Sequence, residues 1–193
     1  MFNTNIKDIP EMYPAIIAKS KEIGFTMPSD LLVGSLLRTL VSSKPRANIL
    51  ELGTGIGLSL SWMIDGMDSF SKLITVDSDP ELIKIAHSFF GEDSRVDIIC
   101  KDGTTWIHEY QGVMFDFIFA DAWPGKYSEI EEILNLVKTG GFYVIDDMNI
   151  QPNWPERHQH LVHRLIDYLE ERNDFSVTKM EWSTGLIIAV KTK

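Results

Sequence analysis

Five short apolar runs, separated by stretches of helical periodicity, set the tightest limit on how this chain folds. The runs are NILELG (48–53), LITVDS (73–78), VDIIC (96–100), FDFIFAD (115–121) and FYVID (142–146). They are rich in Ile, Val and Phe and nearly continuous in hydrophobicity, as strands covered on both faces should be. Between them, Ile130, Ile133, Leu134 and Val137 follow the i, i+3, i+4, i+7 spacing of a helix, with Gly140-Gly141 as its expected stop. Asp79-Pro80 reads as a helix cap followed by Pro at the first helical position. After Pro155, the residues Leu161, Val162, Leu165, Ile166 and Leu169 make one apolar face. The segments FSVTKMEW and GLIIAVKT, joined by STG, read as a hairpin. Residues 1–41 are mostly helical in pattern and precede the first strand. Strands alternating with helices predict an α/β, doubly wound fold with a mostly parallel sheet. Five parallel strands and a C-terminal antiparallel hairpin make seven, in one domain spanning 1–193 with 1–41 as a helical extension.

Composition narrows the function. In 193 residues, 44% are hydrophobic, enough for a sizeable core. A net charge of −10 argues against a non-specific nucleic-acid binder, which needs a Lys/Arg surplus to neutralise phosphates. A small anionic substrate remains compatible with it. The lone Cys100 permits no internal disulfide, fits a reducing compartment and is expected inside a strand. Neither a leader pattern nor an apolar run of about 20 residues is present, so a cytoplasmic protein that does not enter the membrane is expected.

The segment ILELGTGIGLSL (49–60) follows a strand and opens a helix. Gly53, Gly55 and Gly57 are spaced G-x-G-x-G, whereas a dinucleotide loop reads G-x-G-x-x-G, and Leu58 holds its third slot. Glycines let the backbone turn sharply and let a ligand lie against it. Free N–H groups at the next helix N-terminus suit a carboxylate as well as a phosphate. Glu51 would repel a pyrophosphate but attract a cationic amino group. S-adenosylmethionine carries both an ammonium and a carboxylate. Asp77 ends the second strand, where an acid can accept hydrogen bonds from both ribose hydroxyls. An ordinary tight turn is the plain alternative for one glycine loop. Strand, glycines, helix, second strand and terminal acid in order favour a nucleoside site.

With these residues in place, the chain resembles class I S-adenosylmethionine-dependent methyltransferases, a Rossmann-like fold. It looks most like the small catechol and caffeoyl-CoA O-methyltransferase group over about residues 27–148. ELGTGIGLS matches that group's ELG-x-x-x-G-x-S loop, including Thr54 between the glycines. The resemblance implies that Ser59 contacts the methionine carboxylate and that Asp77, with Ser78 beside it, holds the ribose. Met27 precedes Glu51 by the family's usual interval, and Gly34 also matches. KDGTT (101–105) falls where a G-D-A-like segment flanks the adenine, which makes Asp102, Gly103 and Thr104 candidates for that edge. ADAWPGKY (120–127) resembles L-D-H-W-K-D-R-Y, with Asp121, Trp123 and Tyr127 matching. IDDM (145–148) resembles A-D-N-x, whose Asp and Asn bind a divalent metal.

A physical argument accompanies the acidic residues. Parallel neighbours lie about 4.8 Å apart, so Asp121 and Asp146, ending the fourth and fifth strands, reach one rim. Asp147 is one residue further on. Three carboxylates there need raised pKa values, strong repulsion or a hard cation such as Mg²⁺. The expected metal set is therefore Asp121, Asp146 and Asp147. The bland alternative has Asp146 capping a loop and Asp147 solvated.

Two departures stand out. The family's catalytic lysine follows the Trp directly, and that position is Pro124, with Lys126 two residues later beyond Gly125. Asp147 replaces the family's Asn. Lys126 as the proton acceptor, with Asp121, is one reading, and a solvated loop charge is the other. NIQPNWPERHQH (149–160) leaves the rim, so Gln151, Asn153 and Trp154 are candidates for an acceptor pocket. His158, His160 and His163 are expected to face solvent or substrate rather than to hold zinc, for which no Cys is nearby. Trp106 and Trp182 are expected in the core.

The expected activity is methyl transfer from S-adenosylmethionine to an oxygen nucleophile of a small molecule, possible help from a divalent cation included. Its rivals are a metal-independent small-molecule methyltransferase and a cofactor-binding protein without catalysis. Leu58 and Glu51 disfavour an NAD-dependent oxidoreductase. The N-terminal helices offer a surface for a homodimer.

Overall fold

The computed structural model describes residues 6–150 and 158–193. Its strands form one seven-stranded sheet in the order β3-β2-β1-β4-β5-β7-β6. They are β1 (Asn48–Leu52), β2 (Lys72–Asp77), β3 (Val96–Cys100), β4 (Phe115–Ala120), β5 (Val137–Ile145), β6 (Phe175–Met180) and β7 (Leu186–Lys191). The pairs β3-β2, β2-β1, β1-β4 and β4-β5 are parallel. β7 is antiparallel to both neighbours and lies between β5 and β6. The helices are α1 (Tyr13–Ile23), α2 (Leu31–Ser42), α3 (Leu58–Gly66), α4 (Pro80–Phe90), α5 (Gly103–Glu109), α6 (Ile130–Asn135) and α7 (His158–Glu170). The mostly parallel sheet and antiparallel hairpin agree with the sequence reading.

Each inner strand feeds two cores because side chains alternate across the sheet. Phe117 and Phe119 of β4 point into the core under α1–α4, with Ile16, Leu37, Leu60 and Ile83. Ile118 and Ala120 point into the opposite core, with Ile133 of α6 and Leu165 and Leu169 of α7. A Leu, Ile or Phe buried this way contributes roughly 1.5–3 kcal/mol. Asp79 caps α4 as expected, its side chain accepting from the N–H groups of Glu81 (2.9 Å) and Leu82 (3.2 Å).

Three expectations need correction. α6 stops at Asn135 rather than at the glycine pair. The Phe115 N–H donates to Leu136 O at 2.7 Å, and Val137 pairs with Phe115 as the first residue of β5. Gly140 and Gly141 sit in an irregularity of that strand, where the register shifts between Phe115 and Phe117. Burial at Val137 fits either element, so periodicity does not separate them. Cys100 is exposed, because β3 is an outer strand with incompletely covered faces. Trp182 is 37% exposed, since it belongs to the turn between β6 and β7. Trp106 is buried as expected.

Candidate active site

The registers Leu52↔Ala120 and Ala120↔Ile145 place Gly53, Asp121 and Asp146 side by side, one step beyond three adjacent strands. Asp121 N–H donates to Leu52 O and Gly53 N–H to Val76 O, both at 2.9 Å, so the rim continues the ladder. Strand order reverses between β1 and β4, the place where open α/β sheets take ligands. Gly53 has φ +101°, and a Cβ there would lie 2.7 Å from Asp121 O. Only glycine lets the first loop approach Asp121 this closely.

A cavity of about 120 Å³ opens at this crossing. Gly53, Asp77, Ser78, Asp102 and Gly103 line it, together with Ala122 and Pro124. Five residues expected at a nucleoside cofactor thus line one cavity. Asp77 Oδ2 accepts the Gly55 N–H at 2.8 Å and Oδ1 the Asp79 N–H at 3.0 Å. Each oxygen keeps a second lone pair for a ligand hydroxyl. Asp102 caps α5, accepting from the Thr105 N–H and hydroxyl, both at 2.9 Å. Those bonds hold its carboxyl below the usual range. Thr104 turns to Glu129 at 3.0 Å. Met27, 64% exposed, and Trp123, 53% exposed, are not among the residues lining this cavity.

Beneath the glycine loop lies a closed polar network. Glu51 is fully buried and accepts from Ser59 Oγ at 2.5 Å and Thr75 Oγ1 at 2.6 Å. Thr54 Oγ1 lies 2.6 Å from Thr75 Oγ1. Burial pushes the Glu51 carboxyl up to about 8, against the pull of the two hydroxyls. Ser59 and Glu51 are therefore engaged with each other, and both support the loop from below.

The acidic residues meet at the other end of the rim. Asp146 is 2% exposed, and its Oδ1 accepts the Asp147 N–H at 2.7 Å and the Thr184 hydroxyl. Burial raises its carboxyl to about 6, and Asp147 adds to the rise. Asp121 is partly exposed, yet lost hydration, then the charge of Asp146, raise it well above the carboxylate range. Burial also raises Asp147, with Lys126 opposing. Asp147 adopts φ +54°, a left-handed turn out of the strand.

Lys126 enters this cluster rather than solvent. Gly125, at φ +81°, turns the chain inward, and its N–H donates to Ser128 O at 2.8 Å. The Tyr143 hydroxyl, rising from β5, donates to Gly125 O and fixes the turn. Lys126 is 5% exposed, and its Nζ donates to the Asp146 main-chain oxygen at 2.6 Å. Burial lowers its pKa while Asp121, Asp147 and Asp146 raise it. The ring centroid of Tyr127 lies 5.1 Å from Nζ. His158 Nε2 is 3.1 Å from the Tyr127 hydroxyl, and Trp123 packs edge-on against both rings. His160 and His163 are exposed.

The expected metal set does not fit this arrangement. Among the described residues no group of three His, Cys, Asp or Glu side chains is disposed to hold an ion. Asp146 spends one oxygen on two protein donors, and an ammonium is already enclosed with the carboxylates. Gln151, Asn153 and Trp154 lie outside the described residues. A larger cavity of about 530 Å³, lined by Met148, Asn149, His163 and Ile187 among others, adjoins the turn after Asp147.

Thr184, Thr75 and Tyr143 escaped the sequence reading as site residues. Thr184 stands 38 positions from Asp146, and only the insertion of β7 beside β5 joins them. Tyr143 reads as a strand residue, and nothing local marks its hydroxyl as the anchor of Gly125.

The sheet order, the single inserted antiparallel strand and a cavity at the β1/β4 crossing define a Rossmann-like methyltransferase fold. The chain belongs to the O-methyltransferase family, matching it over residues 17–188. A Mycobacterium leprae protein named as an O-methyltransferase is 30% identical over 132 residues, 66% of this chain and 58% of that protein. A Mycobacterium tuberculosis protein of the same description is 30% identical over 118 residues, 58% of this chain and 53% of its own. The chain thus spans little more than half the length of these curated relatives. Among solved structures, an O-methyltransferase from Bacillus cereus in complex with S-adenosylhomocysteine superposes with TM-score 0.81 at 22% identity, covering 98% of this chain and 93% of that one. TomG of Streptomyces achromogenes, solved with S-adenosylmethionine, gives 0.84 at 22%, covering 98% and 92%. At these identities the likeness is one of fold.

Proposed function

We propose that this chain transfers a methyl group from S-adenosylmethionine to an oxygen nucleophile of a small molecule. The observation that carries the reading is the convergence on one rim of the glycine-loop cavity, Asp77 and the Asp121–Lys126 pair. Membership of the O-methyltransferase family and the ligands of the two fold neighbours support it. Asp77 is assigned the ribose hydroxyls, the Gly53–Gly57 turn and the N-terminus of α3 the methionine end, and Asp102–Thr104 the adenine edge. Met27 and Trp123 are assigned to the outer margin of the same ligand.

Bound S-adenosylmethionine supplies an already activated sulfonium methyl, whose C–S bond breaks as the C–O bond forms, leaving a neutral thioether. The protein's task is to hold the acceptor oxygen in line, and orientation alone can supply much of the rate. Asp121, with its raised affinity for protons, takes the acceptor's hydroxyl proton. The Lys126 ammonium faces the oxygen that loses it.

Calorimetric titration tests the cofactor. S-adenosylhomocysteine is expected to bind and NADH is not, and at ~100 times its Kd the former should add about 2.7 kcal/mol of stability. Binding of NADH alone would refute the assignment. Pro124 in the family's lysine position favours a second reading, cofactor binding without turnover. Tight binding with no transfer to any of a panel of hydroxylated acceptors would support that one.

A further inference from the structure

The rim holds three carboxylates in a partly dry site, which in the proposed reaction calls for a compensating cation. We propose that the Lys126 ammonium is that cation, built into the fold where a divalent ion would otherwise sit, so that this chain works without a metal. The proposal rests on the reading of the rim as a methyl-transfer site, but its test does not depend on turnover.

Three independent placements point this way. Gly125 swings the lysine through a left-handed turn, and the Tyr143 hydroxyl pins that turn from inside the sheet. Next, Nζ is fixed by its 2.6 Å bond to the Asp146 main-chain oxygen, so the charge belongs to the site and does not visit it. Finally, one oxygen of the donor set is already engaged. Asp146 Oδ1 accepts from both Thr184 and the Asp147 N–H, whereas a hard divalent ion needs free carboxylate oxygens and room for waters. Asp147 fits the same account. Its extra carboxylate sits beside a buried lysine that offsets its charge.

Mn²⁺ titration of the full chain, read by loss of the free-ion paramagnetic resonance signal, tests the proposal. The wild-type chain is expected to leave the signal of stoichiometric Mn²⁺ unchanged. Lys126→Ala and Lys126→Met are expected to bind Mn²⁺ at least about tenfold more tightly than wild type. Circular dichroism establishes which variants are folded. If both single variants unfold, the double variant Lys126→Ala/Asp147→Asn, which removes one carboxylate with the cation, decides by the same criterion. Stoichiometric binding by wild type overturns the proposal. So does a folded variant with no gain in affinity. Failure of S-adenosylhomocysteine to bind would instead undo the functional reading and leave the Mn²⁺ result standing.

Discussion

Glu51 shows how a single buried acid can be held neutral without a basic partner. Its carboxyl moves from the ordinary 4.5 to about 8, with burial as the leading cause. Between those values the folded chain binds a proton that the unfolded chain has released, so this residue's contribution to stability falls as pH rises. Glu51→Gln keeps the hydroxyl partners and removes the titration. Urea unfolding should show the variant gaining on wild type by about 3 kcal/mol between about pH 5 and pH 8. A gap that stays constant with pH would mean that the acid is ionised in the fold. Thr184 makes the opposite case, a donor that keeps a buried acid partly charged. Thr184→Val should cost about 1–3 kcal/mol, because a buried acceptor loses its partner. It should also move the Asp146 titration upward from about 6, a change visible in the pH dependence of unfolding.

Among the elements, α7 and the β4–β5 region differ most in how readable they were. The α7 stripe of Val162, Leu165 and Leu169 is buried as its spacing implies. Leu169→Ala should therefore cost roughly 2–5 kcal/mol by denaturant melt. Replacing its neighbour Glu170, a half-exposed partner of Lys179, should change stability by less than about 0.5 kcal/mol. The α6–β5 junction was misread because a buried residue looks the same at the end of a helix and at the start of an inner strand. Val137 belongs to the strand through its register with Phe115, a residue 22 positions earlier whose N–H donates to Leu136 O. Periodicity carries no trace of that partner. Cys100 was misplaced for a related reason: sequence does not say which strand lies outermost.

For the whole molecule, the alternation of strands and helices and the glycine turn at the end of β1 were legible because spacing encodes them. A strand, a glycine turn and an acid at the end of the following strand leave few arrangements open. The interior of the acidic cluster was not legible. Lys126 looks like any loop lysine until Gly125, Tyr143 and Asp146 are assembled around it, and they come from separate parts of the chain.

The insertion of β7 between β5 and β6 bears on how the protein is made. In chain order β7 is the last strand, yet it fills an interior place in the sheet. The exit from β5 is fastened to the segment just before it, with Met148 N–H donating to Gly185 O at 3.0 Å and Asn149 N–H to Thr184 O at 2.9 Å. While the ribosome is still producing residues up to 180, β5 has an open edge and Asp146 lacks its hydroxyl partner. The glycine loop and Asp77 can already be in place by then. A nascent chain would thus have its glycine loop formed well before its acidic rim is set, and β7 would act as the timing step that completes that rim.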